Sequence, residues 1–253
     1  MGTYVVGDIH GCYDEWMELK SRIEKEDRAA VFILTGDIID RGPKTIEMVN
    51  WAIENITEDG KYQMVLGNHE SEKIYWWDYW FLPKYREYEL NGIKVGLDAI
   101  NTDNYGFSDE YIKRNLGIAE FRKAINFFRK LSLYKDLVIN NQRYIIAHAN
   151  IPYSIIKNDG TLIKELTNRQ KEFIVWDRDI SNFEKIEKVI LINGHNPSVF
   201  PDCVVPGGEL EKIQYLSNRI CVDCGLVYKP YLKLGNLAAI RLEDKKEFYL
   251  FNE

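Results

Sequence analysis

The chain has 253 residues, 45% of them apolar and 28% charged, with a formal net charge of −6. That length buries a substantial core, and the balance is the one expected of a globular enzyme. The negative charge argues against a general affinity for nucleic-acid backbones or anionic membranes; only a local basic groove stays open, and there is no strong nucleic-acid signal.

The start "TYVVGDIHG" has neither a basic n-region nor a long apolar h-region, so no signal peptide is expected. Val6 stands where myristoylation of a Met-Gly start wants Ser or Thr. No run approaches the roughly 18 consecutive apolar residues of a membrane-spanning helix, and a cytoplasmic protein is expected. Cys221 and Cys224 form a C-x-x-C, while Cys12 and Cys203 stand apart. No second pair completes a zinc site, and β-branched residues precede the motif where a redox pair prefers a helix start. These cysteines read as small buried thiols in a reducing compartment.

The first 70 residues alternate between two periods. "TYVVGD" is an apolar run ending in Gly-Asp, and a helical pattern follows with Trp16, Leu19 and Ile23 on one face. "AVFILTGD" repeats the event; Pro43 then marks a helix start, and Ile46, Val49, Ile53 and Ile56 recur at helical spacing. "YQMVLGN" is the third run. Three apolar strands separated by amphipathic helices predict βαβαβ, with a parallel sheet buried on both faces. Ligands of such sheets bind beyond the carboxyl ends of the strands, so these polar endings should converge on one crevice.

Beyond Glu70 the texture changes. Residues 75–88, "YWWDYWFLPKYREY", are densely aromatic, and the pattern over Glu120–Leu131 predicts a helix with Phe121, Ile125, Phe128 and Leu131 inward. Residues 71–132 read as a helical insertion over the crevice, with its aromatics packed as a cap rather than stacked on bases. From Leu133 strands dominate. "LYKDLVINNQRYIIAHAN" predicts a hairpin turning at Asn140-Asn141 and ending at His148, and "KVILINGHNP" predicts a strand ending at His195. "RICVDCG", "NLAAIRLED" and "EFYLFNE" complete a largely antiparallel second half, the last two joined near Asp244-Lys245. No repeat or Pro/Ser-rich linker divides the chain, so residues 1–253 are expected to form one domain.

Four histidines are present, His10, His69, His148 and His195, and each follows an apolar run beside Gly, Ala or Asn. One such histidine is ordinarily a hydrogen-bonded structural residue; four behaving alike, with none on an ordinary surface, point to a shared site. The strand ends supply Asp8 and His10 ("GDIHG"), Asp37 ("GDIIDRG"), Asn68 ("GNHE"), His148 ("AHAN") and His195 ("NGHNP"). Carboxylate or amide oxygens mixed with imidazoles suit Mn, Fe or Zn, and the absence of cysteine disfavours a closed structural zinc. Six ligands exceed the needs of one catalytic ion and suit two divalent metal ions about 3.5–4 Å apart that share a carboxylate.

This order of motifs, with Asp37 29 positions after Asp8 and Asn68 31 positions after Asp37, resembles the phosphoprotein phosphatase family of calcineurin-like metallophosphoesterases. The resemblance spans Asp8 to His195. "VDCG" and the length are similar to compact bacterial and phage-type members, and "VWDRD" at 175–179 resembles their short Trp-x-Arg segment. It implies an α/β (α+β) fold, a four-layer αββα sandwich with a helical insertion after the third strand. It implies Asp8, His10 and Asp37 at a first metal and Asp37, Asn68, His148 and His195 at a second, with Asp37 as the bridge. Arg41 and Arg178 would hold phosphoryl oxygens, and His69, oriented by Asp40, would be the general acid. Glu70 is expected to support the site rather than bind metal. Arg178, between two aspartates, also fits a surface ion pair.

The implied activity is metal-dependent phosphoester hydrolysis, first as a protein Ser/Thr phosphatase with a metal-bridging hydroxide as nucleophile. Its substrate would be a phosphorylated protein or a small phosphoester. A symmetrical bis(5'-nucleosyl)-tetraphosphatase is the alternative. A non-catalytic phospho-ligand-binding protein is a second, marked by loss of Asp37, His69 or Arg41, none of which is lost. "ELNGIKVGLDAINTDNYGF" departs from the "NGG" and threonine-containing pattern of many compact relatives, so no substrate contacts are carried over to it.

Overall fold

Side-chain alternation in short strands sorts this chain into layers. The computed structural model describes residues 1–93, 107, 111, 114, 116–157, 159–179 and 189–251. In β1 (Thr3–Val6), Tyr4 and Val6 face a helical layer while Val5 faces a second sheet. In β2 (Val31–Leu34), Phe32 and Leu34 take the first direction and Ile33 the second. β3 (Tyr62–Met64) pairs in parallel with β2, as β2 does with β1, which is the predicted βαβαβ unit.

The intervening helices supply the outer layer. In α1 (Tyr13–Glu26), Trp16, Leu19 and Ile23 are buried as predicted. In α2 (Thr45–Asn55) the buried arc is centred on Thr45, Met48, Val49 and Ala52 and includes Ile46; Ile53 falls at its edge in the last turn and is 37% exposed.

β9 (Ala238–Arg241) runs antiparallel to β1, and β10 (Glu247–Tyr249) antiparallel to β9, giving the order β10-β9-β1-β2-β3. The expected turn lies between them, with Lys245 in the left-handed region. The second sheet contains β4 (Tyr134–Ile139), β5 (Gln142–Ala147), β6 (Val189–Asn193), β7 (Gln214–Leu216) and β8 (Arg219–Cys221), in the order β4-β5-β6-β8-β7. Asn140 and Asn141 both have positive φ, as a two-residue turn with the twist of a tight hairpin requires.

Antiparallel pairing prevails in the second half, as expected, at β4–β5, β7–β8, β9–β10 and β9–β1, but the centre of the second sheet departs from it. β5, β6 and β8 are parallel, and only the flanking β4 and β7 run against them. A helix, Asn168–Trp176, lies between β5 and β6 in the chain, and a crossover of this kind joins parallel strands where a hairpin cannot. Val5, Ile33, Ile146, Ile192, Ile220 and Ile240 fill the space between the sheets. Ile145, Ala147 and Leu191 pack outward with Ile174 of that helix. Each such buried aliphatic side chain contributes roughly 1.5–3 kcal/mol. The architecture is the expected αββα sandwich with two mixed sheets.

The described part of 71–132 is helical, as expected. α3 (Asn68–Trp76) runs through a π-helical turn (Trp77–Phe81) into α4 (Leu82–Leu90), and α5 (Ile118–Phe128) packs against α2 and α3. α5 begins two residues before the predicted start and ends at Phe128, where Leu131 N–H turns back to the Phe128 carbonyl. Phe121, Ile125 and Phe128 are fully buried; Leu131 is half-buried beyond the helix end. Trp77 stacks on Phe81 at 4.8 Å and on Phe121 at 5.4 Å, so much of the aromatic run is packing. Tyr75, Tyr79 and Trp80 are exposed. Nearly all of "ELNGIKVGLDAINTDNYGF" after residue 93 lies outside the described residues.

All four cysteines are free thiols, with Cys12, Cys221 and Cys224 buried. Burial pushes the Cys12 and Cys221 thiols up to about 12, which leaves neither as a nucleophile. No helix among the described residues is long and apolar enough to cross a membrane.

Candidate active site

The parallel strands of both sheets deliver their polar endings to one place. Asp8 and His10 follow β1, Asp37 follows β2, and Asn68 opens α3 just past β3; His148 and His195 follow β5 and β6. All six are 4% exposed or less. Two glycines are required by closeness: a Cβ on Gly194 would sit 2.0 Å from Asp8 Oδ1, and one on Gly67 would sit 2.3 Å from the Asp37 amide nitrogen. His10, Asp37, Asp40, Arg41 and His195 all adopt left-handed backbone, with φ between 46° and 70°. Such clustering of strained residues is characteristic of functional sites.

Two imidazoles are aimed by backbone carbonyls. His10 Nδ1–H donates to Ile39 O at 2.8 Å, and His148 Nδ1–H donates to Thr35 O at 2.7 Å. Both then carry a lone pair on Nε2, directed into the site. His148 Nε2 lies 2.8 Å from Asn68 Oδ1 and 3.0 Å from His195 Nδ1, which is itself 2.9 Å from Asn68 Oδ1. An unprotonated nitrogen facing an amide oxygen is two acceptors in contact, an arrangement that a cation resolves and a hydrogen bond does not.

Two buried clusters share Asp37: His10–Asp37–His69, and Asp37–His148–His195. Asp37 Oδ2 is 3.6 Å from His10 Nε2, and Asp37 Oδ1 is 3.5 Å from His148 Nε2. The first cluster holds His69 where the resemblance placed Asp8. Asp8 is turned to its own anchors, accepting the Thr35 hydroxyl at 2.9 Å and the His195 amide at 3.0 Å.

Burial drives His10 down to about 3 and His195 to about 2, which keeps both neutral and able to ligate. For Asp37 burial acts upward, but His148, His69 and His10 outweigh it and hold the carboxyl well below its ordinary range. His69 departs from the other histidines. Burial again favours its neutral form, yet Asp37 and Asp40 prevail and its pKa is raised. Its Nδ1 is 2.6 Å from Asp40 Oδ2, and its amide donates to Asp37 Oδ1 at 3.0 Å.

The remaining predicted residues lie around this core. Glu70, fully buried, accepts the Asp37 and Ile38 amides at 2.9 Å each and so fixes the β2 end loop, the supporting position expected of it. Arg41 Nη1 is 2.8 Å from His10 Nε2, and its guanidinium lies over the Tyr228 ring at 6.0 Å. We denote the helix Asn168–Trp176 α6; Arg178 follows it and donates to His195 O at 3.2 Å. Its neighbour Asp177 accepts instead from Asn150 Nδ2 at 2.7 Å.

Sequence reasoning gave no role to four buried polar residues here: Thr35, Lys73, Asp223 and Arg219. Lys73 Nζ is 3.7 Å from Asp40 Oδ2. Its spacing of four from His69 on one helix face was the available signal.

Curated relatives that match along most of this chain share a name. The chain is 27% identical over 219 residues to the symmetrical bis(5'-nucleosyl)-tetraphosphatase of Buchnera aphidicola subsp. Acyrthosiphon pisum (strain Tuc7), covering 80% of this chain and 69% of that one. It is 27% identical over 186 residues to the asymmetrical bis(5'-nucleosyl)-tetraphosphatase of Bacillus subtilis (strain 168), covering 70% and 66%. Stretches of higher identity are shorter: 43% over 74 residues, spanning only 26% of the relative's length. A protein serine/threonine phosphatase from Saccharomyces cerevisiae superposes with a TM-score of 0.57 at 16% identity, over 98% of this chain and 78% of that one; this likeness concerns the fold alone. The family model for calcineurin-like phosphoesterases matches residues 1–226, and the chain belongs to that family.

Proposed function

We propose that the chain, acting as one domain, is a metal-dependent hydrolase of phosphoester and phosphoanhydride bonds whose substrates are dinucleoside polyphosphates. The observation that carries the chemistry is the pair of buried His/Asp clusters sharing Asp37. The sequence alone put a protein Ser/Thr phosphatase first. The relatives matched over most of the chain are named for dinucleoside tetraphosphates, and this reverses the order.

Asp8, His10 and Asp37 would hold one divalent cation, and Asp37, Asn68, His148 and His195 a second. When bound, the pair supplies positive charge to phosphoryl oxygens and acidifies water; the thiol-free donor set suits Mn, Fe or Zn. The other tasks fall to side chains. His69, with Nδ1 held by Asp40, presents Nε2 as the proton donor to the departing oxygen. Arg41 and Arg178 offer planar forks to the phosphoryl oxygens. Glu70 and Thr35 keep the Asp37 loop and Asp8 in place.

The deciding assay sets Mn²⁺-loaded protein against diadenosine tetraphosphate and against phosphoserine, phosphothreonine and phosphotyrosine peptides. Rapid hydrolysis of the dinucleotide is expected, with two ADP marking symmetrical cleavage and AMP plus ATP asymmetrical cleavage. Fast peptides beside an inert dinucleotide would restore the protein phosphatase. A chelator should abolish turnover and Mn²⁺ restore it; activity that survives complete metal removal would sink the two-cation site.

A further inference from the structure

Arg219 is 3% exposed, yet the hydrogen bonds its guanidinium makes among the described residues go to an amide oxygen and two backbone carbonyls. It opens β8, where Ile220 and Val222 point into the space between the sheets, so that Arg219 points to the opposite face, under α6. Nε donates to Asn193 Oδ1 at 2.8 Å, Nη1 to Asp179 O at 2.8 Å and Nη2 to Ala149 O at 3.4 Å. Those acceptors belong to three separate segments. Ala149 adjoins His148, Asn193 ends β6 two residues before His195, and Asp179 adjoins Arg178. Asn150 braces the same segment, through Asp177 Oδ2 at 2.7 Å and Asp179 O at 3.4 Å.

Stability is a poor explanation for such a cation. A buried charge costs desolvation that neutral acceptors offset only in part, and well-packed apolar replacements of buried charges are often neutral or stabilising. The geometry does explain an arginine. Three oxygens on three chain segments lie around one plane, which a rigid fork reaches and a single ammonium does not.

We propose that Arg219 is a positioning residue, setting the 177–179 segment, and with it the Arg178 guanidinium, against the strand ends that carry His148 and His195. The inference rests on reading Arg178 as a phosphate-binding residue of the proposed hydrolase. Arg219 acts through Arg178 and touches neither substrate nor cation.

The test compares full-length Mn²⁺-loaded wild type with Arg219→Met, Arg219→Lys, Arg178→Ala and the Arg178→Ala/Arg219→Met double variant. Calorimetry reads the affinity for inorganic phosphate, kinetics on p-nitrophenyl phosphate give KM and kcat, and bound Mn and melting temperature are recorded alongside. Arg178→Ala and Arg219→Met should each weaken phosphate binding and raise KM by about tenfold or more, the scale of one lost charged hydrogen bond. Bound Mn should be unchanged, Arg219→Lys should recover part of the loss, and the double variant should match Arg178→Ala within about twofold, as coupled residues do. Wild-type phosphate affinity in Arg219→Met, losses that multiply in the double variant, or loss of bound Mn would each overturn the proposal. If Arg219→Met does not fold, Arg219→Lys carries the test: its loss should vanish in the Arg178→Ala background, and an equal loss in both backgrounds refutes it. A wild type inert toward diadenosine tetraphosphate rejects the proposed substrate and leaves the phosphate-binding measurement intact.

Discussion

Substituting His69 by Asn separates proton donation from the rest of the site. The imidazole is 9% exposed, its Nδ1 is bonded to Asp40 at 2.6 Å, and its Nε2 is 3.8 Å from Asp37 Oδ2. His69 is the histidine of the site whose pKa is raised, by Asp37 and Asp40, which suits the proposed proton donor. A positioned general acid contributes about 10²–10⁴-fold. That contribution depends on the leaving oxygen: a serine alkoxide needs the proton most, whereas a nitrophenolate and the terminal phosphate oxygen of a departing nucleotide are both weak bases and need it far less. His69→Asn should therefore lower kcat by about 10²–10⁴-fold on phosphoserine peptides or alkyl phosphates, and much less on diadenosine tetraphosphate and p-nitrophenyl phosphate. Asp40→Asn should follow the same order more weakly. It exchanges a charged hydrogen bond for a neutral one, a difference of about 1–2 kcal/mol in a water-poor site, or roughly tenfold. Steady-state kinetics on the three substrates, with bound Mn measured in each variant, check this. Equal losses across the series at unchanged Mn content would remove His69 from the acid role.

Two predictions concern the scaffold. Trp77→Ala removes a 2% exposed ring stacked between Phe81 and Phe121, at a cost of about 3–5 kcal/mol. In a chain of this size that lowers Tm by roughly 10 °C, whereas Tyr79→Ala, with the ring 68% exposed, should shift it little; matching shifts in calorimetry would contradict the packed cap. Glu24 gives a pH test. Burial raises its pKa, but Lys61 at 2.7 Å, the Tyr62 hydroxyl at 2.5 Å and Lys20 at 3.0 Å outweigh burial and bring it down to about 2. A depressed carboxyl stabilises the fold above its unfolded pKa of about 4.3, and the contribution disappears as pH falls toward 2. Glu24→Gln should thus lower Tm at pH 7, with the gap to wild type closing between about pH 4.3 and 2; a gap independent of pH would refute the assignment.

Most residues that the structure brings together at the candidate site were legible in the sequence because they are local events. Asp8, Asp37 and Asn68 each end an apolar run, and strand endings are what periodicity detects well. The first three strands and α1 followed for the same reason. Parallel pairing in the second sheet was not legible: β5 and β6 read as short apolar runs, and their relative direction depends on the path of the chain through α6. Ile53 was misplaced because spacing fixes a helix face only to within about one residue at its edge. Lys73 and Arg219 escaped notice because a buried cation looks in sequence like an exposed one. What distinguishes them is a set of oxygens brought from distant segments, such as Ala149, Asp179 and Asn193 around Arg219.

The left-handed backbone at His10, Asp37, Asp40, Arg41 and His195 has a physical consequence for the whole fold. Non-glycine residues held there cost on the order of 1–3 kcal/mol each, so five of them approach the net stability of a typical domain, about 5–15 kcal/mol. Such residues persist only where surrounding bonds over-determine them, and Asp37 shows how. Its amide donates to Glu70 at 2.9 Å, its carbonyl accepts the His10 amide at 2.8 Å, and its carboxylate accepts the His69 amide at 3.0 Å. The residue that both clusters share is thus fixed through its amide, its carbonyl and its side chain. Glu70 supplies one of those three constraints, from α3 at the end of a different strand. The sandwich therefore spends packing and hydrogen-bond energy on the placement of one carboxylate, which supports the proposal that Asp37 is shared by two cations.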